Sequence, residues 1–526
     1  MLMIATVAGP LLLASCGAQD GPVGVAVVSG PTVLHANTCD HWGGHTYPYV
    51  VQGERHVFWT ATLHEPEERA DGEKKYPTQV VGQYPLPGTG GRPAIHTITV
   101  EDPDLFYAVE PMLFRTPDGY LHMLVGSYHS TDDPLFTPGR IRYYRSARPE
   151  DVTEWVERTE LIALTDIYKS FHLRMNVAVT PDGERAVIAV LAISPGGDPV
   201  PWNTPLILRG RRDGLDFRFE EPFKYHDPIP FFYPQVAALP AGIVMTGEVW
   251  HELEDTSSLL LHLDWEGNVL HEETLPSADE KGTHFAYDLR PLEPGEWGRL
   301  GIYQRSVPEE GTPSHQFLTY DVAARELKVV QNTPVEIGFS NFGKWLHISP
   351  ERSVFINNPM QGQYYAWEGD ILGGGEITKY PLPRTNPLEL GYLNSGSALI
   401  PTPLNGSVAN PGTTYLVSDA SEPGRDWEGR GPQSLLLWEL KLGDQDPSEE
   451  GHAPDPHVGC RLATHLRPGG VRARERRPRE AVRSASPAQL PAYKERPSRP
   501  HPAHRRRVHD HRGGPVLDQA DHGRLV

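Results

Sequence analysis

A paired-strand unit that recurs seven times constrains the fold of this 526-residue chain more than any other feature. Each copy has a polar or aromatic start, an apolar run, a turn of Gly, Pro or Asp, and a second apolar run, as in "VEPMLFRTPDGYLHMLVG" and "FYPQVAALPAGIVMTGEV". One residue near the start of each first run marks the repeat: Tyr47, Glu110, Arg174, Tyr233, Tyr287, Asn341 and Asn394. Successive markers are 53 to 64 residues apart, which leaves room for two more strands per unit.

This spacing predicts an all-β fold, a seven-bladed β-propeller over residues 23–443. The segments "RIRYYRSARP" and "SLLLHLDWEGNVLHEE" are predicted outer strands, and the early "VGVAVVSG" is predicted to complete the last blade, so that no sheet edge stays open. The 51 Gly and 52 Pro residues favour short strands joined by turns over long helices. A β-sandwich is the alternative, although a sandwich rarely gives seven evenly spaced hairpins.

The first residues predict a targeting segment. "MLMIATVAGPLLLASCGAQDG" is an apolar run that is too short to span a membrane and ends in a cysteine. It resembles a bacterial lipoprotein signal over residues 1–16, with lipid on the Cys16 thiol, although it lacks the usual Lys or Arg before the apolar run. A secretory peptide or a fortuitous apolar start is the alternative. We therefore expect an extracellular or cell-surface protein that contacts the membrane only through a lipid anchor.

The other end of the chain has a different composition. The chain as a whole carries a net charge of −20, but from Gly451 onwards 16 Lys+Arg face 7 Asp+Glu. Residues 445–526 lack apolar periodicity, and we interpret them as a disordered tail or as the product of a shifted reading frame; a basic tail that binds an acidic surface is the alternative. The acidic body disfavours nucleic acid as a partner, and a monomer is expected.

The predicted site lies at the starts of the innermost strands, because side chains from different blades converge there on the central channel. The candidate substrate-binding residues are Tyr47, Glu110, His172, Tyr287, Asn341 and Asn394. His45, Arg174 and Tyr233 lie at the same positions of their blades. This polar and aromatic set suits a polysaccharide or oligosaccharide ligand, and a wet channel without chemistry is the alternative.

The first blade carries a resemblance to a known family. "GGHTYPYVVQGERHVFWTATLH" resembles the opening blade of the BNR-repeat propellers that include ulvan and related uronate lyases, with His45, Pro48, Gly53, Phe58 and His64 in matching order. "RYYRSARPEDVTEW" is similar to the family's blade edge. The resemblance implies a polysaccharide lyase that cleaves uronate-containing glycans by β-elimination. It implies His45 as the base and His64 as its neighbour or as a substrate contact.

One departure from the family leaves other functions open. The tyrosine and arginine that the family uses from its second blade fall here at Glu110 and Gly126. Tyr233 and Arg174 are our candidates for the phenol and the guanidinium, supplied from other blades. A non-catalytic glycan-binding propeller is the second hypothesis.

A sialidase-like glycoside hydrolase is the third hypothesis. Such an enzyme needs two carboxylates, and the candidates are Glu110 with Asp40, Asp288 or Glu248. The sialidase turn motif Ser-x-Asp-x-Gly-x-Thr-Trp is absent from the sequence, and the nearest turns are "TPDGYL" and "TPDGER".

A metal site is the other interpretation of the opening stretch. Cys39 and His41, followed by His45, offer a thiolate and imidazoles, which are zinc ligands. One cysteine with two histidines is a weak signal, so no cofactor is assigned and a structural zinc or calcium ion stays open. The aromatic residues Trp59, Tyr143, Tyr144 and Trp155, and the histidines His56 and His122, are expected to pack against strands rather than to bind ligand.

Overall fold

The computed structural model describes much of the chain before residue 443. The described residues are 25–38, 49–63, 78–99, 107–108, 111–128, 141–163, 170–171, 176–193, 204–220, 223–224, 231–252, 255–276, 282–293, 295–308, 312–334, 344–349, 352–357, 364–382, 398–399, 405–408, 412–420 and 433–442. They all lie within Met1–Gly451, the first of two compact units. The predicted targeting segment, residues 1–16, and the predicted tail, residues 445–526, lie outside the described residues.

Seven antiparallel sheets confirm the predicted seven-bladed propeller. Six sheets have four strands, one has six, and a two-stranded ribbon is formed by Tyr107–Ala108 and Ser127–Tyr128. We number the sheets as blades 1 to 7 in chain order. Within blades 1 to 6 the chain runs from the innermost strand outwards through consecutive strands. Core clusters made of residues from neighbouring blades fill the spaces between the sheets.

The strands of each blade follow, from the innermost to the outermost. Blades 1 to 3 contain Val50–Gln52, His56–Thr62, Thr78–Pro85 and Ala94–Thr99; Met112–Arg115, Leu121–Val125, Arg142–Arg148 and Asp151–Glu157; and Asn176–Val179, Arg185–Ile193, Thr204–Asp213 and Asp216–Phe219. Ser170–Phe171 and Phe223–Lys224 extend blade 3, and Thr159–Leu161 is a 3-10 turn.

Blades 4 to 6 contain Phe231–Leu239, Gly242–Glu252, Asp255–Asp264 and Val269–Thr274; Gly282–Glu293, Glu296–Pro308, Ser314–Asp321 and Glu326–Pro334; and Lys344–Ser349, Arg352–Asn357, Tyr365–Gly369 and Ile377–Pro381. Blade 7 contains Ala398–Leu399, Thr413–Ala420, Gln433–Leu442 and, as its outermost strand, Val25–Thr38.

The first strand of the chain closes the ring, as predicted. Val25–Thr38 pairs antiparallel with Gln433–Leu442, in a register that runs from Val25 opposite Leu442 to Thr38 opposite Gln433. Gly30 lies in this pairing with a φ of +113°, and a Cβ at that position would lie 2.7 Å from the Leu437 carbonyl oxygen. Only glycine fits both the backbone conformation and the close approach. The two ends of the propeller are therefore held together by backbone hydrogen bonds.

The residues that were expected to pack against strands do so. Trp59 and Tyr143 are among the largest fully buried side chains, and Tyr144, His56 and His122 are also buried. His122 stacks on Phe114 and bonds the Tyr143 hydroxyl at 2.8 Å through Nδ1. Burial holds the pKa of His122 well below its usual value, so the ring is neutral and belongs to the core.

The connections between strands vary in length at both ends of the blades. We call the end at which the innermost strands begin the upper face, and the opposite end the lower face. The connections range from two residues at 253–254 on the upper face of blade 4 to thirteen at 400–412 on the lower face of blade 7. On the lower face, the first and second strands of blades 4, 5 and 6 are joined by two residues each, at 240–241, 294–295 and 350–351. On the upper face, the second and third strands of blades 1, 2 and 7 are separated by much longer segments, 63–77, 126–141 and 421–432.

The lower face also holds the two "TPDG" turns. Thr116 Oγ1 donates to Asp118 Oδ1 at 2.5 Å, and Thr180 Oγ1 donates to Asp182 Oδ1 at 2.6 Å. The two turns join the first and second strands of blades 2 and 3, so they are structural turns away from the upper face. Among the described residues, no helix is long and apolar enough to cross a membrane.

Candidate functional site

The innermost strands begin where the sequence predicted, but most of the predicted site residues lie outside the described residues. These are His45, Tyr47, His64, Glu110, His172, Arg174, Asn341 and Asn394, together with Cys16, Cys39, Asp40 and His41. Of the predicted site, the structure describes the strands that carry Tyr233 and Tyr287. The site can therefore be built from blades 4 and 5.

Both tyrosines lie at irregularities of their innermost strands. In blade 4, Phe232 pairs with Glu248 and the next pair is Gln235 with Thr246, so that Tyr233 falls within the register shift. In blade 5, Ala286 pairs with Gln304 and the next pair is Asp288 with Tyr303, so that Tyr287 is the additional residue. β-bulges occur preferentially beside active sites, where they redirect a side chain. The innermost strands of blades 5 and 6 carry further shifts, between Pro291 and Glu293 and between His347 and Ser349.

A buried polar layer lies beside the bulge of blade 4. Gln235, Thr246 and Glu248 are buried, and Glu248 is only 1% exposed. Gln235 lies two residues before Ala237, and Thr246 and Glu248 lie two and four residues after Val244. Because alternate residues of a strand share a face, the three polar side chains lie on the same face as Ala237 and Val244, nearer the upper face. Ala237 and Val244 belong to the core cluster between blades 4 and 5. This face of the sheet places a buried carboxylate at the upper end of blade 4.

Ser258, which pairs with Glu248, and Thr256 lie in the third strand of blade 4. Hydrogen bonds join this strand to the innermost strand of blade 5. The Ser258 hydroxyl donates to the carbonyl oxygen of His284 at 3.0 Å, and the His284 amide donates to Thr256 Oγ1 at 2.9 Å. The ring of His284 bonds Ser306 Oγ at 2.9 Å through Nδ1. Blade 5 is therefore fixed to blade 4 by polar contacts at the level where the innermost strands begin, which gives the upper face a rigid wall.

Asp288 proves to be a structural residue. Arg290 Nε donates a hydrogen bond to Asp288 Oδ1 at 3.0 Å and lies 2.8 Å from Oδ2, and both side chains are about 4% exposed. The two residues share a strand face with Leu292, which belongs to the core cluster between blades 5 and 6. The two described glycosidase candidates, Asp288 and Glu248, are therefore both buried carboxylates, and Asp288 is held in an ion pair.

The sequence interpretation missed a second buried polar group in blade 5. The Tyr303 hydroxyl and His315 Nδ1 lie 2.7 Å apart, and the His315 ring packs against Phe355 and Trp367 of blade 6. Burial lowers the pKa of His315 to about 3, so the ring is neutral at physiological pH. His315 lies two residues before the core residue Phe317 in the strand Ser314–Asp321 and shares its face, and this position was the signal that could have identified it as packed.

No group of three or more His, Cys, Asp or Glu side chains that could hold a metal ion occurs among the described residues. The weak candidates Cys39 and His41 lie outside that part of the chain, so the metal hypothesis stays a prediction.

Comparisons with known proteins found distant similarity to solved structures only. No protein-family model matches the chain, and a search of curated proteins found no match. Among solved structures, the chain is similar to an alpha-L-arabinanase from Penicillium chrysogenum in complex with arabinobiose, at 14% identity and a TM-score of 0.38, over 63% of this chain and 92% of that one.

Two other solved structures are similar to the same degree. A Trypanosoma rangeli sialidase matches at 10% identity and a TM-score of 0.40, over 79% of this chain and 59% of the sialidase, which is less than two thirds of its length. An alpha-L-arabinofuranosidase from Fusarium graminearum matches at 10% identity and a TM-score of 0.36, over 64% and 93%. The assignment of the fold as a propeller rests on the seven sheets of this chain. The relationship of the chain to uronate lyases stays a prediction.

Proposed function

We propose that this protein is a carbohydrate-active propeller that binds a glycan at the upper face of the ring and cleaves uronate-containing polysaccharide by β-elimination. One observation supports the location. The innermost strands begin at the upper face, and the backbone irregularities at Tyr233 and Tyr287 lie in those strands. β-bulges occur preferentially beside active sites. The lyase chemistry comes from the resemblance of the first blade.

In the proposed reaction, His45 removes the proton from the carbon α to the uronate carboxylate. The electrons form a carbon–carbon double bond as the bond to the glycosidic oxygen on the β carbon breaks. The Tyr233 phenol donates a proton to that leaving oxygen, and the Arg174 guanidinium stabilises the negative charge that develops on the carboxylate. The products are a new reducing end and an unsaturated uronate.

The unsaturated uronate absorbs in the ultraviolet, so a panel of uronate polysaccharides tests the proposal directly. We expect absorbance to rise with at least one of them, and His45→Ala to lower the rate by about 10²-fold or more, as loss of a general base does. His96→Ala is the matched control, because His96 lies in the outermost strand of blade 1. Equal rates for wild type and His45→Ala on every active substrate would remove His45 as the base.

A sialidase-like glycoside hydrolase is the second candidate, and Glu248 favours it. The register places Glu248 opposite Phe232, one residue from Tyr233, so a buried carboxylate and a phenol come from adjacent positions of blade 4. Sialidases use a tyrosine as the nucleophile. Release of a fluorogenic aglycone from a sialoside, with no unsaturated product from any uronan, would establish this candidate over the lyase.

A third outcome identifies a non-catalytic glycan-binding protein. The replacement of the family's second-blade tyrosine and arginine by Glu110 and Gly126 favours it. Its signature is saturable binding of a polysaccharide with neither unsaturated product nor free aglycone. A polysaccharide affinity gel, run beside the two activity assays, separates the three candidates in one set of experiments.

We also propose that the protein is extracellular and is held at the membrane by lipid on Cys16. The apolar run before Cys16 supports this proposal. Mass spectrometry of the mature protein tests it: an N-terminal residue other than a lipidated Cys16 would contradict it.

A further inference from the structure

A cavity of about 370 Å³ lies at the seam where blade 7 meets blade 1. We call it the seam cavity and define it by Ser29, Tyr84, Tyr415, Leu437 and Glu439, together with the turn 85–91. This volume falls within the usual range of small-ligand sites, about 300–1,000 Å³. The turn joins the third and fourth strands of blade 1, so the seam cavity opens beside the lower face, away from the candidate functional site.

The blade 7 wall of the seam cavity is a row of polar side chains. Ser29 and Tyr415 both stand opposite Glu439, one in the outermost strand and one in the second strand. Residues directly opposite one another in a sheet share a face, so the three side chains lie together. The Ser29 hydroxyl donates to Glu439 Oε2 at 3.1 Å, which orients the carboxylate and leaves its other oxygen able to accept.

Tyr415 brings a phenol to the same row. Its side chain is 4% exposed, and burial, with the Glu439 carboxylate and the neighbouring Tyr84, raises the pKa of Tyr415 to about 12. The hydroxyl is therefore protonated at neutral pH and can both donate and accept a hydrogen bond. Tyr84, from blade 1, packs against the core cluster that contains Tyr415. Two phenols and one carboxylate are thus gathered at one cavity.

The blade 1 wall is a glycine-rich turn that is held in place by hydrogen bonds. The Leu86 amide donates to the Arg55 carbonyl oxygen at 2.8 Å, and Thr89 Oγ1 donates to the Leu86 carbonyl oxygen at 2.8 Å. Gly88 and Gly90 have φ values of +73° and +68°, and a Cβ at either position would meet no atom within 4 Å. The glycines are required by the backbone conformation, and they leave open space beside the cavity.

The charge of the lining restricts the ligand. The residues that line the cavity include one carboxylate and no Lys or Arg. An anionic ligand such as a uronate would meet the Glu439 charge without a compensating cation. Hydroxyl groups suit the site better, since a carboxylate accepts from them and tyrosines both donate and accept, while Leu437 and the proline rings offer apolar contact to a sugar ring.

We propose that the seam cavity binds a neutral sugar residue of a glycan, at a second site on the opposite side of the propeller from the candidate functional site. The two sites are proposed to bind different sugars. The upper face binds an acidic sugar, whereas the Glu439 carboxylate in the seam cavity disfavours an acidic sugar there. A glycan that contains both neutral and uronic residues could engage the two sites. The inference holds whether or not the protein is a lyase.

Isothermal titration of the full-length protein with neutral oligosaccharides tests the proposal. The probes are xylohexaose, arabinohexaose and maltohexaose, with an oligogalacturonate as the anionic probe and choline as the cationic probe. We expect saturable binding of at least one neutral probe, and Tyr415→Phe to weaken that binding about 3- to 10-fold through the loss of one hydrogen bond. Glu439→Gln is expected to weaken it by a similar factor.

Tyr144→Phe is the matched control, because Tyr144 is another buried tyrosine with a pKa raised to about 12, in blade 2. It should leave the affinity unchanged. Tyr233→Phe, at the upper face, should also leave it unchanged, which separates this site from the functional site. The proposal is overturned if no neutral probe binds, if Tyr415→Phe and Glu439→Gln bind as the wild type does, or if only choline binds and the site takes an organic cation.

Discussion

At the scale of single residues, burial shows which of the described histidines belong to the core. His122, His262 and His315 are buried, and burial is the main cause that lowers the pKa of each one. His262 reaches a pKa of about 4, and its Nδ1 lies 2.9 Å from the Tyr320 hydroxyl. These rings pair with tyrosines as neutral hydrogen-bonding groups. They are part of the core, and none is a general base near pH 7.

The lowered pKa of His315 predicts how stability depends on pH. The folded pKa is about 3, whereas the unfolded value is about 6.5, so the unfolded state binds more protons between those limits. Stability is therefore fully present above about pH 6.5 and falls as the pH drops towards 3, with a slope of up to about 1.4 kcal/mol per pH unit from this group.

Urea unfolding at pH 7.5, 6.0 and 5.0 measures that slope. His315→Phe should be less stable than the wild type at pH 7.5, because it loses the bond to Tyr303, yet it should lose less stability than the wild type on acidification. The control is His96→Phe, in an outermost strand, which should keep the wild-type slope. Identical slopes for His315→Phe and the wild type would contradict the interpretation.

At the scale of elements, the closing strand Val25–Thr38 depends on one glycine. Gly30→Ala would place a Cβ 2.7 Å from the Leu437 carbonyl oxygen at a φ of +113°, so we expect a loss of about 2 kcal/mol or more. Differential scanning calorimetry should show a lower Tm. Gly412→Ala in the same blade is the control, because its Cβ would meet no atom within 4 Å and its Tm should stay close to that of the wild type. An unchanged Tm for Gly30→Ala would mean that the strand adjusts its register.

At the scale of the whole molecule, a buried ion pair joins three blades at the lower face. Glu150 accepts from Arg115 Nε at 3.1 Å and from the backbone amide of Glu54 in blade 1 at 2.8 Å, while Arg115 Nη1 donates to the carbonyl oxygen of Gly406 in blade 7. Because both side chains are nearly buried, removal of one charge leaves the other without compensation. Blades 1, 2 and 7 are thus tied together beside the ring closure.

Glu150→Gln should therefore destabilise the propeller by about 3 kcal/mol, measured by urea or thermal unfolding. The comparison is Glu157→Gln, which breaks the more exposed ion pair of Arg142 and Glu157 at 3.1 Å and should cost less than about 1 kcal/mol. Equal effects of the two variants would show that Glu150 has no special role in joining the blades.

The sequence by itself determined the number of blades and the position of each innermost strand. These features follow from hairpins, in which pairing partners are close in the chain, so turn residues and apolar alternation record them locally. The sequence also predicted that "VGVAVVSG" completes the last blade, although this strand pairs with residues at the other end of the propeller. The two bulged positions, Tyr233 and Tyr287, were also marked by the repeat. The sequence could not show that Asp288 is held by Arg290, because that requires the face and burial of the strand.

Only the tertiary structure decided what meets across the seams between blades. Ser29, Tyr84, Tyr415 and Glu439 come from distant parts of the chain and form one cavity because the ring closes there. The same closure brings Arg115 of blade 2 to Gly406 of blade 7, and packing of blade 2 on blade 1 brings Glu150 to the Glu54 amide. Packing between blades depends on side-chain shape and burial over long sequence separations, which no local pattern records.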